Sequence, residues 1–562
     1  MKTTQAQQLA HIAYHSYIWP PNMVDMIKKA VLFFILLLSI AHAGQSQKVA
    51  SSRPKLVVFI LVDQLSTEQI VAFRDQFSDN GFNRLINGGA FYRNAAYTSA
   101  SSYFGTNLAT LSTGCHPATH GIVSDWWYDR VRKKEINAAY GEINPLPDTP
   151  RQQPSARLLQ TSTISDELKW MYNQRARISV IGINPSHLVW SGGHAPDYLY
   201  RVNPHHGDIQ LISPQDSSLK APEWVQQFND KQLLQTYSSR TWGPLKDLRQ
   251  YHQMRYFSDQ RANAKPFLYT LDKQEGVGAY IPVIHSPYGN KLIRDFAMAQ
   301  IINEELGKGP VTDVLTLHFT ARTVHGKLQG GFDAETQDML MRLDEEIANL
   351  LKNIDQEVGL ENTLVALTSV SAPIKPMEDI IKQNIPTGLF SGDKAASLAN
   401  LFLMAKYGQG KWVMTYNDGQ IYLNHDLIAE RKVNREEMKK EAARFLSDMQ
   451  GVTYAIPLTQ LQYTAANISS YNSLKHNYHP DRSGDIAIKV QPGWYEELSD
   501  GRRIKRNWSA AYLPLIFYGW KINPQDVYQA ISMTRFAPTV CSFLEIPFPN
   551  GCEGEPLPNL IY

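Results

Sequence analysis

Three serine and threonine hydroxyls, Ser101, Ser102 and Thr106, flank Phe104 within the segment Tyr97–Gly114. A hydroxyl there could act as a nucleophile, and the same hydroxyls could instead cap a helix that starts at this turn. Phe104 itself has no lone pair with which to attack anything. Histidines offer a second kind of chemistry. His205-His206 and His476-x-x-His479 are of a type that binds metals. Neighbouring residues on a strand face opposite ways, and the second pair sits in a turn-rich stretch before Pro480, so both pairs read as solvated loop histidines. His116 and His120 are four apart, but Pro117 argues against the helix that would align them. His120 precedes a glycine and reads as a structural hydrogen bonder. Three cysteines permit at most one internal bridge. Cys541 and Cys552 are the nearest pair and Cys115 would be left over; three reduced thiols are the equal alternative.

These residues must be positioned by a scaffold, and its pattern is legible. Lys55–Asp63 is a near-continuous apolar run ending in an acid, as in a parallel strand buried on both faces. Similar runs recur at 177–183, 314–320, 363–368 and 513–518. Leu340, Leu343, Ile347, Leu350, Leu351, Ile354 and Val358 follow helical spacing, with Gly359 placed to close the helix. The alternation predicts an α/β fold: a central, mostly parallel sheet with helices on both faces, whose ligands bind at the carboxyl ends of the strands. Residues 184–300 and 375–510 are less regular and read as insertions or a cap. The second contains a helix expected over 435–449, with Asn434 as its N-cap.

The chain has 562 residues, 43% hydrophobic and 19% charged, with a formal charge of +2. That balance gives no sign of a nucleic-acid partner. The one basic run, Arg502-Arg503-Ile504-Lys505-Arg506, reads as a solvated loop. At the N-terminus Lys28-Lys29 precede the apolar run 30–40, and Ala41-His42-Ala43 resembles a cleavage site. The run is too short to span a bilayer and reads as a secretory signal peptide. Residues 1–43 are therefore expected to be an N-terminal extension and signal peptide, with Met23 or Met26 as an alternative start. Residues 55–562 would form the exported domain, in a Gram-negative periplasm, with no membrane span in the mature chain. No cysteine follows the cleavage site to carry a lipid.

The order Leu61-Val-Asp-Gln-Leu65, Gly81-Phe-Asn-Arg-Leu85, Thr113-Gly114, His120-Gly-Ile122, Trp127-Tyr-Asp-Arg130, Arg342-Leu-Asp-Glu-Glu346, Arg482-Ser-Gly-Asp-Ile486 and Pro514-Leu-Ile-Phe-Tyr-Gly519 runs through most of the exported chain. Together these segments resemble the alkaline phosphatase superfamily, in its branch of periplasmic phosphatases and nucleotide pyrophosphatase/phosphodiesterases. The resemblance implies an alkaline-phosphatase-like sheet, two zinc ions held by six Asp/His ligands, and a Thr or Ser nucleophile. It places the nucleophile at Phe104. It keeps Asp63 as the first ligand and His325 as another, and puts Ala321, Val370, Ser371 and Arg503 at the remaining ligand positions, with Tyr512 where the family has a second His. It puts Asn184 and Ser186 where relatives carry a phosphate-binding Lys and Arg, and Asp125 where they carry an Asn.

A lone carboxylate or imidazole does not hold zinc tightly. The expected protein is therefore a catalytically inactive pseudoenzyme without a metal cofactor. It would act as a scaffold, or as a receptor for a small ligand or protein partner in the vestigial cleft. The alternative is a zinc-dependent phosphatase or phosphodiesterase whose nucleophile has moved to Ser102 or Thr106. In the first case Arg503 or Arg322 is expected beside Asp63 or His325, supplying a fixed cation.

Overall fold

The computed structural model describes residues 52–101, 103–141, 153–213, 219–251, 266–276, 278–324, 331–374, 377–463, 469–498, 501, 503–504 and 511–561. The expected signal peptide, Ser102 and His325 lie outside them.

Ten strands form the central sheet: β1 (Leu56–Asp63), β2 (Ala90–Ala96), β3 (Ile178–Gly182), β4 (Tyr198–Val202), β5 (Ile209–Ile212), β6 (Asp313–Thr320), β7 (Thr363–Thr368), β8 (Leu513–Gly519), β9 (Gln525–Val527) and β10 (Ile531–Ser532). Their order is β9-β2-β8-β7-β1-β6-β3-β4-β5, with β10 also on β2. β1 is central and runs parallel to β6, Asp63 opposite Thr320, and to β7, Leu61 opposite Thr368. The parallel core continues through β3 and β4. β8 is antiparallel to both β7 and β2, and β5 is antiparallel to β4. The sheet is therefore mixed, with parallel pairs in its centre. The stretch 184–300 contributes β4 and β5 to this sheet as well as surface helices.

The central strand is apolar throughout because both its faces are buried. Val57, Phe59 and Leu61 enter one core, and Leu56, Val58, Ile60 and Val62 enter the other. The first core is completed by α1 (Phe104–Thr113), α2 (Pro185–Gly192) and, late in the chain, the helix Phe536–Leu544, through Leu108, Leu111, Leu188, Val189, Phe536 and Val540. The second is completed by α3 (Pro287–Asn303) and α4 (Ala334–Glu357), through Leu292, Ile293, Phe296, Leu343, Ile347 and Leu350. α4 is the helix expected from the leucine spacing. It begins before Leu340 because Asp333 accepts from the amide of Thr336 and caps it. Gly359 follows its end at φ 89°, where a side chain would be strained.

Within 375–510 an antiparallel sheet of four strands, in the order Val413–Asn417, Gln420–Leu423, Ile486–Val490, Val452–Pro457, has its own small core. α5 (Gly392–Tyr407) and α6 (Arg435–Ser447) pack on it. Asn434 caps α6, accepting from the amides of Glu436 and Glu437, and the helix ends at Ser447, short of the expected 449. Among the described residues no helix is long and apolar enough to cross a membrane.

Three local expectations need correction. Pro117 starts a short helix, Pro117–His120, rather than preventing one. It occupies the first helical position, where a missing N–H costs no hydrogen bond. His476 lies on the helix Ser469–Asn477, not in a loop, and stacks on His116 with ring centroids 3.8 Å apart. His479, in the following turn, is 8% exposed and bonds Gln160 at 2.9 Å, so neither is a solvated histidine. The other pair is partly tied down as well: His205 Nδ1 accepts from the amide of Gly278 at 2.8 Å. All three cysteines are free thiols. His120 has its structural role, with Nε2 3.0 Å from the Thr110 hydroxyl and Nδ1 accepting from the Ile122 amide.

Candidate functional site

The carboxyl ends of β1, β6 and β7 bring together four of the residues singled out from the sequence. Asp63 ends β1, and the amide of Ala321, just after β6, donates to its carbonyl at 2.9 Å. After β7 the chain turns through Ser369, Val370 and Ser371. The Ser371 hydroxyl donates to Asp63 Oδ1 at 3.1 Å. The turn is held by the Ser369 hydroxyl, which accepts from the Leu65 amide and donates to the Ser371 carbonyl. Ala321 and Val370 are 1% and 3% exposed. Two positions where the resemblance expects ligands are thus packed hydrocarbon.

Burial pushes the Asp63 carboxyl up to about 7 against the Ser371 hydrogen bond and the field of Arg322. Of the two arginines proposed as replacement cations, Arg322 is the one that acts on Asp63. It does so through space, with its own side chain exposed and no ion pair within 4 Å. Arg503 is exposed on the two-residue strand Arg503–Ile504, paired with Tyr495–Glu497. It is not among the groups that act on the Asp63 carboxyl. Tyr512 reaches the β1 end only through its carbonyl, which accepts from the Thr67 amide.

The second cluster surrounds the start of α1. Tyr103 is the N-cap, and no side chain caps it. Ser101, expected as a possible cap, instead accepts from the Tyr103 amide and donates to Thr106 at 3.3 Å. Thr106 is fully buried, so no substrate atom can approach its hydroxyl in this conformation. Phe104 occupies the first helical position and stacks on the imidazole of His187, centroids 5.1 Å apart and planes at 12°. His187 lies in the first turn of α2, whose N-cap is Asn184. The Asn184 side chain accepts from both the amide and the hydroxyl of Ser186, and its amide nitrogen lies 3.2 Å from His187 Nε2. The positions expected to grip phosphate are therefore engaged in capping a helix.

Asp125 Oδ1 accepts from the Gly105 amide at 3.1 Å. A Cβ on Gly105 would come within 2.4 Å of that oxygen and 2.9 Å of Trp190 Nε1, so glycine is required by close approach. Burial pushes Asp125 up to about 7, and Asp418 adds to the shift. Burial lowers His187 to about 4, which leaves it neutral at pH 7. One turn along α1, the Asn107 side-chain amide donates to the Val370 carbonyl at 2.8 Å and pins the two clusters to each other.

Sequence reasoning missed His187, Asn107 and His318. His318 interrupts the apolar run of β6, bonds the Ser191 hydroxyl at 3.0 Å, and is lowered to about 3 by burial and by His187. A histidine inside a strand otherwise buried on both faces was the available signal.

Residues 57–510 match the type I phosphodiesterase / nucleotide pyrophosphatase family. The chain belongs to that family. It is 26% identical over 531 residues to a calcium-transporting ATPase of Myroides odoratus, covering 91% of this chain and 95% of the relative. It is 25% identical over 531 residues to the alkaline phosphatase PafA of Elizabethkingia meningoseptica, covering 92% and 96%. The crystal structure of wild-type PafA superposes with a TM-score of 0.80 at 24% identity, over 91% of this chain and all of that one. The fold is thus that of an alkaline phosphatase.

Within that fold the described residues do not fit a pair of zinc ions. Neither the Ala321 methyl nor the Val370 isopropyl group has a donor atom, and the remaining carboxylate, Asp63, is bonded by Ser371. No group of three or more His, Cys, Asp or Glu side chains among the described residues is arranged to hold a metal.

Proposed function

We propose that this chain is an exported, catalytically inactive member of its family that works by binding, as a scaffold or as a receptor for a ligand in the vestigial cleft. The observation that carries the reading is the Phe104–His187 stack at the head of α1. A benzyl ring fills the position the resemblance assigns to the nucleophile, and it is held by packing rather than left mobile. The packed hydrocarbon at Ala321 and Val370 and the capping duty of Asn184 and Ser186 support the same reading from independent positions. A nucleophile and its metals act as a unit, so their joint loss should remove nearly all the rate. Export rests on the apolar run after Lys28-Lys29 and the Ala41-His42-Ala43 pattern.

The test is turnover of aryl phosphate mono- and diesters by the purified chain with added zinc, beside a Phe104→Ala control and a metal analysis. The expected outcome is no rate above the control and less than stoichiometric zinc. Activity that Ser102→Ala or Thr106→Ala abolishes would instead establish a displaced nucleophile, and two tightly held zinc ions per chain would overturn the inactive reading.

A further inference from the structure

A cavity of about 590 Å³ opens between the strand Trp126–Asp129, the first turns of α6 and the loop 478–485. It is separate from the cleft above and shares none of its residues. Its polar lining is unbalanced in sign. Arg130, Arg132, Arg435, Lys439 and Arg482 supply five fixed cations, against the carboxylates of Asp129, Asp481 and Asp485.

The pairings decide which cations remain available. Asp485 is 3% exposed and takes three side-chain partners at once, His425 Nε2 at 2.8 Å, Arg130 at 3.2 Å and Lys439 at 3.4 Å, besides the Leu423 amide. Burial opposes its charge, but the His425 hydrogen bond and the Arg130 field outweigh that and hold the carboxyl well below the usual range. Lys439 is further tied to Glu436 at 3.0 Å, and Arg132 to Asp129 at 2.8 Å. Two guanidinium groups make no ion pair within 4 Å among the described residues, although Asp481 and Asp129 act on Arg482 through space. Arg435 donates to His425 Nδ1 at 3.3 Å. Arg482 donates to the carbonyls of Gly121 and Leu158 at 2.6 and 2.8 Å, and lies 5.0 Å from the Trp127 ring centre. The carbonyls occupy the Nη1 donors of Arg482 and do not neutralise its charge. Burial lowers this guanidinium to about 10 against the fields of Asp481 and Asp129.

The wall also carries the apolar side chains of Trp127, Ile136, Leu158 and Pro480, beside the polar Gln160, Thr459 and Tyr478. A bare inorganic anion would leave that surface wet, whereas an organic anion would cover it. Guanidinium forks match carboxylate and phosphate oxygens equally well. We propose that this cavity is a binding site for a small organic dianion, a phosphate monoester or a dicarboxylate with an apolar body, held by Arg435 and Arg482. The site stands whether or not the vestigial cleft is silent.

Calorimetric titration of the full chain with phenyl phosphate, phthalate and inorganic phosphate tests this. The expected result is one-to-one binding of one or both organic dianions, weaker binding of inorganic phosphate, and loss of affinity as salt is raised. Phenyl phosphate alone would name a phosphate ester, and phthalate alone a dicarboxylate. Arg435→Gln should weaken binding about tenfold with the unfolding temperature unchanged, since Arg435 is exposed at the helix start. Arg482→Lys, which keeps the charge but loses the guanidinium fork, gives an independent reading from the second cation. Phe104→Ala should leave the affinity intact. The proposal fails if neither organic dianion binds at about 10 mM, a free energy too small for a built site. It fails equally if both arginine variants bind as the wild type does, or if Phe104→Ala abolishes binding. Were phenyl phosphate hydrolysed, the inactive reading would fall while the phthalate titration still decided this one.

Discussion

Replacing Asp125 with asparagine is expected to stabilise the fold, and to do so more at pH 8 than at pH 5. In the folded chain burial raises this carboxyl from 3.8 to about 7, whereas in the unfolded chain it ionises near its ordinary value. Between about pH 4 and 7 the folded state keeps a proton that the unfolded state has released, so stability falls as pH rises through that window. The rise in pKa sets a ceiling of about 4 kcal/mol on the cost at pH 8. Side-chain relaxation and water entry bring the cost below that ceiling, and with the carboxyl at about 7 more than half of it arises above pH 5. Asparagine keeps an oxygen for the Gly105 amide and carries no charge, so the substitution removes the penalty and spares the hydrogen bond. Asp63 contributes a slope of the same sign, so the pH profile of the wild type alone does not isolate Asp125. The difference between variant and wild type does. Urea denaturation at pH 5 and pH 8 measures it. A gain equal at both pH values, or a loss of stability at pH 8, would refute the reasoning.

Asp344→Ala should cost about 2–3 kcal/mol in the same assay, because a 2% exposed carboxylate accepts from the Ser78 and Phe82 amides and both donors would be stranded. Asn434→Ala should cost about 1 kcal/mol by removing the cap of α6, read as a lower urea midpoint with an unchanged slope.

The parts of this structure that could be read from the sequence are those where one residue type has one physical use. An unbroken apolar run predicts burial on both faces, and Leu56–Val62 alternates between two cores as that requires. Some family segments prove to be structural partners of one another. Asp344, in the segment 342–346, receives the amide of Phe82 in the segment 81–85, and a Cβ on Gly81 would come within 2.1 Å of its carboxylate. Arg130 and Asp485, from two further segments, meet at 3.2 Å. Such pairs keep the fold recognisable even where Ala321 and Val370 stand at positions for which the resemblance expects ligands. Contacts made across space by residues with many uses were not legible. Nothing local says that His187 will lie against Phe104, that Asn107 will hold the Val370 carbonyl, or that Pro117 will begin a helix rather than prevent one. The cleft differs from the scaffold in this respect for a physical reason. Scaffold positions must satisfy burial, which sequence pattern reports directly. Positions in the cleft satisfy burial, capping or stacking in turn, and only the three-dimensional neighbourhood decides which. Phe104 does so by stacking and Asn184 by capping, and both arrangements are compatible with a chain that retains the fold.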